Sequence, residues 1–158
     1  MVAKTILSKY EIERDKPMPS FNHGVIQTNI IIALAAYKKE YTIASELKFK
    51  LPPDEWESVP DVAILQKTAP DFKNDIIAYP KPPLATIEIL SPTQSLTTLT
   101  SKAEEYFQHG VQSCWIVIPE FKNIYVYSTP DKYEIFKSTD LLKDAKLDIS
   151  FPLKEVFE

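Results

Sequence analysis

Three polar residues stand where this 158-residue chain is otherwise apolar or turning: Asp61, Glu88 and Lys102. Glu88 lies inside Ala85-Thr86-Ile87-Glu88-Ile89-Leu90, a segment that reads as a central strand. A carboxylate buried there is costly unless a cation or hydrogen-bond donors satisfy it. Alternation along a strand puts Thr86, Glu88 and Leu90 on one face and Ile87 and Ile89 on the other. The plainer alternative is an edge-strand glutamate facing solvent. Asp61 follows Pro60 and opens the short apolar run Val62-Ala63-Ile64-Leu65. Aspartate after proline at a strand entrance is also ordinary turn chemistry. Lys102 falls among Leu99, Ala103 and Tyr106, spaced as one face of a helix, so it belongs to the core-facing stripe. Its plainer reading is a lysine whose stem passes its neighbours to reach water.

Together the three have a definite chemistry. Two carboxylates can hold a hard divalent cation, Mg²⁺ or Mn²⁺, with water and a substrate phosphate completing the coordination. Such an ion lowers the pKa of bound water and stabilises charge on the phosphate. A lysine beside it can orient that water or neutralise the transition state.

These residues need elements to position them. Asn22 to Tyr37 carries Ile26, Ile30, Ala33, Leu34 and Tyr37 at helical spacing, with Asn22 as its expected N-cap. Strands are expected at Tyr41 to Ser45, Glu46 to Leu51, Val62 to Leu65 and Leu84 to Leu90. Loops are expected at Pro52 to Pro60 and Asp71 to Pro83. A second helix spans Ser95 to His109, with Gly110 as its left-handed terminator and Val111 as the apolar residue beyond. A capping-box pattern at Ser101 and Glu104 offers a later start. Further strands are expected at Ser113 to Ile118, Asn123 to Ser128, Tyr133 to Phe136 and Leu147 to Phe151. Pro119 to Lys122 and Ser128 to Asp131 supply turns, and Pro152 opens a short final helix. Cys114 and Trp115 are expected in the core. Helix, strands, helix, strands describes an α/β or α+β domain with one mixed sheet.

Composition narrows the function classes. Only two glycines occur, against 13 prolines. Neither a P-loop nor a dinucleotide-binding glycine loop can be built from Gly24 and Gly110. The length fits one domain, residues 1–158. No run of apolar residues is long enough to cross a membrane, and the N-terminus lacks the apolar core of a secretory signal. A single cysteine excludes an intramolecular disulfide and a cysteine-rich zinc site, and points to a cytoplasmic location. The net charge is −4, and only one of the 18 basic residues is arginine, Arg14. That balance weighs against a non-specific nucleic-acid binder.

Pro60-Asp61 followed by Glu88 in an apolar strand resembles the PD-(D/E)XK nuclease superfamily. More closely, the chain resembles the Uma-type family of restriction-endonuclease-like proteins. The matching segments are Tyr10-Glu11-Ile12, Met18-Pro19, His23-Gly24, Val59-Pro60-Asp61-Val62-Ala63, and Ile87-Glu88-Ile89-Leu90-Ser91-Pro92. They continue through Lys102-Ala103-Glu104-Glu105-Tyr106, Gly110-Val111, Trp115 to Pro119, and Val126-Tyr127. The resemblance implies a restriction endonuclease-like mixed sheet flanked by helices, with core order αβββαβ. It implies a metal-dependent endonuclease cutting DNA phosphodiester bonds, with Asp61 and Glu88 as metal ligands. The usual lysine two residues after the glutamate is Leu90 here, and Lys102 matches the family's position on the following helix. Tyr106 matches the aromatic that accompanies that helix and contacts a phosphate or packs. Glu11, with Glu13 close behind, is the candidate for a further acidic ligand. His23 also matches the family, either as a donor near the site or as a capping residue of the first helix, the structural role being favoured. Trp56 stands in an acidic loop where a substrate or partner subunit can touch it. One departure is the uncharged segment Thr93 to Ser101, where relatives carry aspartate and arginines. The alternative function is a non-catalytic binding or interaction module that retains the fold and the metal pair. DNA is the expected partner, a membrane is not, and a homodimer would suit the cutting of two strands.

Overall fold

The computed structural model describes Lys9, Ile12 and residues 18–158. Glu11 and Glu13 lie outside the described residues.

Among the fully described residues, the first helix, α1, spans Phe21–Leu34. Its N-cap is Ser20, whose hydroxyl accepts from the backbone N–H of His23, so Asn22 lies within the helix rather than capping it. The α-helix stops at Leu34, and Ala35–Tyr37 continues as one 3₁₀ turn. Ile26, Ile30 and Leu34 recur every four residues and are fully or nearly fully buried. Each such side chain removed from water contributes roughly 1.5–3 kcal/mol.

Among the described residues, ten strands lie before and after a helix α2: β1 Tyr41–Ser45, β2 Phe49–Leu51, β3 Trp56–Ser58, β4 Val62–Gln66, β5 Ala85–Ile89, then α2 Leu96–Gln108, β6 Ser113–Ile118, β7 Asn123–Thr129, β8 Lys132–Lys137, β9 Leu141–Asp144 and β10 Ile149–Pro152. Six make one mixed sheet in the order β1-β4-β5-β6-β7-β8. Only β5 and β6 are parallel, and α2 is the crossover between them. Along the main sheet the chain therefore runs α1, β1, β4, β5, α2, β6. This is the expected αβββαβ order, with the β2–β3 hairpin inserted after its first strand and β7–β8 added at its end.

Several sequence expectations are corrected. Pro52 to Pro60 is not all loop, because Trp56–Ser58 pairs with Phe49–Leu51. Glu46 to Leu51 is strand only from Phe49, since Glu46 adopts a left-handed conformation (φ 54°). Ser95 caps α2 through the Thr98 N–H, so Ser101 and Glu104 lie inside the helix and form no capping box. Pro119–Phe121 is a 3₁₀ turn closed by left-handed Lys122. Leu141–Asp144 is an additional strand, paired with β10. Pro152 ends β10 instead of opening a helix, and the 3₁₀ turn begins at Leu153.

The sheet separates two cores. On one face Ile87, Ile89, Trp115 and Val117 pack with Ile26, Ile30 and Leu34 of α1. On the other, Cys114, Ile116 and Ile118 pack with Leu99, Ala103 and Tyr106 of α2. The β2–β3 hairpin covers the remainder of that second face, burying Phe49 and Leu51 against Ala63 and Leu65. Cys114 and Trp115 are core residues as expected, and burial pushes the Cys114 thiol up to about 12. Gly110 ends α2 with φ +94°. Its N–H bonds the Phe107 carbonyl, and the Val111 N–H reaches the Tyr106 carbonyl. These are the paired bonds of a Schellman terminus.

One buried carboxylate is purely architectural. Asp144 accepts from Ser113 Oγ at 2.5 Å, from Trp115 Nε1 at 2.8 Å, and from the backbone N–H groups of Lys146 and Leu147. It ties the β9–β10 turn to β6.

Candidate functional site

Asp61 immediately precedes β4, and β4 pairs antiparallel with β5 in the register Val62↔Ile87. One further step along that register sets Asp61 opposite Glu88. The backbone confirms the approach: the Ile89 N–H donates to Asp61 Oδ2 at 2.7 Å. Both carboxylates are buried, Asp61 to 1% and Glu88 to 4% exposure. The segments that carry them are apolar, and β5 is buried along its whole length, so neither side chain is an exposed edge residue.

Glu88 lies on the α2 side of the sheet. Lys102 Nζ is 2.9 Å from Glu88 Oε1. The lysine occupies the core-facing stripe of α2, as its spacing requires, and its side chain is 19% exposed, at the wall of an open cleft. The Tyr106 hydroxyl, one turn further on, donates to the same Oε1 at 3.0 Å and lies 2.7 Å from Ser58 Oγ. The phenol has one proton, which goes to the carboxylate, so Ser58 donates to Tyr106. Burial, and next the charge of Glu88, hold the Tyr106 pKa well above its ordinary value of 10.0. It remains a donor at neutral pH.

His23 approaches from the other layer. Its Nε2 is 3.1 Å from Asp61 Oδ2, and the ring is buried. The side chain caps nothing; Ser20 does that. Trp56 stacks on His109 (4.7 Å between centroids, 20° between planes) and meets Tyr106 edge-on. His109 Nε2 is 2.7 Å from Asp54 Oδ1, and its Nδ1 is 2.6 Å from the Glu105 carbonyl. The hairpin is thereby fastened to α2 beside the site. A cleft of about 350 Å³ opens between them, with Trp56, Ser58, Thr98 and Lys102 among its walls and Glu57, Glu104 and Glu105 lending it negative charge.

The structure thus joins Asp61, Glu88, Lys102, Tyr106 and His23 through adjacent contacts. Sequence reasoning missed Ser58, Gln27 and the Asp54–His109 pair. The available signal was weak: a serine one residue before Val59-Pro60-Asp61, and a glutamine four residues after His23.

The donor set fits a divalent cation in part. Two buried carboxylates on neighbouring strands are the hard oxygen ligands that Mg²⁺ takes, usually one or two per ion. Among the described residues no group of three or more His, Cys, Asp or Glu could hold a metal ion. Nor is any helix among them long and apolar enough to cross a membrane.

Comparison with known proteins agrees with the fold. No curated protein matches the chain. A solved structure from Anabaena variabilis ATCC 29413, described as a "putative nuclease belonging to DUF820", superposes with a TM-score of 0.76 at 25% identity, covering 89% of this chain and 83% of that one. The family model described as "Putative restriction endonuclease" matches residues 6–152, nearly the whole length, and the chain belongs to this Uma2 family.

Proposed function

We propose that the protein is a metal-dependent endonuclease that hydrolyses DNA phosphodiester bonds. The observation that carries this reading is the meeting of Lys102 with Glu88 at 2.9 Å, beside Asp61 on the adjoining strand. The family and the nuclease-like structural neighbour support it. Asp61 and Glu88 would hold Mg²⁺ or Mn²⁺, which supplies an activated water and charge neutralisation on the phosphate when bound.

The chain's own residues account for the rest. Lys102 brings a positive charge and donors to the point where negative charge grows as water adds to phosphorus and the ester P–O bond breaks. Tyr106 and Ser58 hold Glu88 in one rotamer, so the lysine and the carboxylate keep a fixed relation. The hairpin carrying Ser58 forms one wall of the cleft through which a phosphate approaches Lys102. A homodimer would place two such sites on the two strands of a duplex.

A second reading has its own observation. The cleft includes Glu57, Glu104 and Glu105, and the whole chain has one arginine. An acidic approach repels a polyanion. This favours a binding or interaction module that keeps the fold without cutting.

Supercoiled plasmid and oligonucleotides incubated with purified protein, with and without Mn²⁺, separate the two. Cleavage that requires Mn²⁺ and disappears in Asp61→Ala, Glu88→Ala and Lys102→Ala is the expected result. Absence of cleavage with retained Mn²⁺ binding favours the module. Cleavage that persists in all three variants places the activity elsewhere.

A further inference from the structure

We infer that His23 and Gln27 form a clamp on α1 that positions Asp61 as a cation ligand; this deepens the metal-dependent reading and rests on it.

His23 is 3% exposed and stands at the head of the buried stripe that continues through Ile26, Ile30 and Leu34. A leucine there would extend that stripe without any polar atom to satisfy. The imidazole instead reaches past the sheet's end to Asp61, Nε2 to Oδ2 at 3.1 Å. A carboxylate oxygen only accepts, so Nε2 carries the proton in this contact. In the neutral ring that leaves Nδ1 as an acceptor, and Nδ1 is buried without a hydrogen-bond partner among the described residues. A buried polar atom left unsatisfied is a cost that needs a reason. The Asp61 contact supplies that reason, because it is the ring's sole polar engagement among the described residues.

Gln27 lies one turn further along the same helix face. Its Nε2 donates to the Asp61 carbonyl at 2.9 Å and to Glu46 Oε1 at 3.2 Å. The Glu46 N–H also donates to the Asp61 carbonyl, at 3.2 Å. One helix therefore holds Asp61 at both its carboxylate and its backbone, while the Ile89 N–H holds Oδ2 from β5. Two donors on one carboxylate oxygen fix the plane of the group and commit Oδ2 to the protein. A residue that only filled space would not need a matched pair of contacts to the two ends of one aspartate. His23 and Gln27 touch no substrate in this scheme; they act through Asp61.

The test is calorimetric titration of Mn²⁺ into the purified full-length chain at fixed pH, with thermal unfolding run alongside. His23→Leu removes the donor, His23→Gln restores an N–H near the Nε2 position, and Asp61→Asn is the ligand control. The expected result is that His23→Leu binds Mn²⁺ roughly 10–100-fold more weakly, that His23→Gln recovers most of the affinity, and that Asp61→Asn abolishes binding. If His23→Leu does not fold, His23→Asn takes its place, because its amide overlays Nδ1 and falls short of Asp61. Unchanged affinity in the donor-less variant, with binding lost in Asp61→Asn, overturns the clamp and leaves the metal reading standing. No Mn²⁺ binding by the wild-type chain overturns both.

Discussion

Lys102 and Glu88 lie 14 positions apart and meet at 2.9 Å because β5 and β6 are parallel and α2 must cross back over the sheet between them. The crossover lays the helix's inner face on the strand that bears the glutamate. A lysine in that face has the carboxylate beneath it. Replacing Lys102 with methionine keeps the packing and removes the charge. In the nuclease reading the initial rate of Mn²⁺-dependent plasmid nicking then falls on the order of 10²–10³-fold. Arginine at 102 recovers only part, because its planar fork does not reproduce a compact ammonium. A nicking rate unchanged in Lys102→Met would remove the lysine from the chemistry.

Tyr106 bridges the hairpin and the glutamate. Tyr106→Phe deletes one hydroxyl and strands both Ser58 Oγ and one bond to Glu88 Oε1. The expected cost is about 1–3 kcal/mol of stability, the penalty of a lost bond in a buried polar network. Urea unfolding followed by tryptophan fluorescence measures it. Trp56 packs edge-on against the Tyr106 ring, so the same spectra report whether the hairpin has shifted.

The Asp54–His109 contact makes stability depend on pH. Both nitrogens of His109 face acceptors, the Glu105 carbonyl and the Asp54 carboxylate, so the imidazolium alone satisfies both. The Glu105 carbonyl, with Asp54 next, raises the His109 pKa above its ordinary 6.5. The contribution of a raised histidine is complete below about 6.5 and is lost as pH climbs through the folded value. The hydrogen bond from His109 lowers Asp54 below its ordinary 3.8, so that group's contribution is lost only as pH falls through the depressed value. The urea midpoint of the wild type should therefore decline from pH 6 to pH 8 more steeply than that of His109→Gln. Parallel profiles would show that the contact does not hold the hairpin.

Gly110→Ala tests the end of the lysine helix. The residue sits at φ +94°, and an added Cβ would lie 3.4 Å from Pro82 Cγ. A side chain in that left-handed region costs about 1–2 kcal/mol. Thermal unfolding should register a lower midpoint, with the Schellman bonds to Phe107 and Tyr106 the first to loosen.

Much of this molecule could be read along the chain. Periodicity located α1 and α2, the six strands of the main sheet and the face of α2 that carries Lys102, because burial patterns repeat every two or 3.6 residues and need no distant partner. Misfitting polarity found the site by the same rule: Glu88 in an apolar strand and Lys102 in an apolar helix face are conflicts within a few residues. The rule passed over Asp144, which is equally buried but stands among Lys143, Lys146 and Asp148 and serves the architecture through four donors.

The rest was decided in three dimensions. Trp56-Glu57-Ser58 is too short and polar to announce itself as a strand, and only pairing with Phe49–Leu51 makes it one. That pairing is what delivers Ser58 to Tyr106 and Trp56 to His109. Glutamine and serine carry no local conflict, so Gln27 and Ser58 gave no signal before their partners arrived. His23 was legible as a residue, as a donor near the site or a helix cap, but its partner was not, since α1 packs on the layer opposite Glu88. It meets Asp61 because the aspartate stands at the end of its strand, where both layers can reach it. The sequence by itself therefore determined which residues conflict with their surroundings. The layering of α1, the sheet and α2 decided which of those conflicts resolve one another, because polar atoms excluded from water must find their partners across elements.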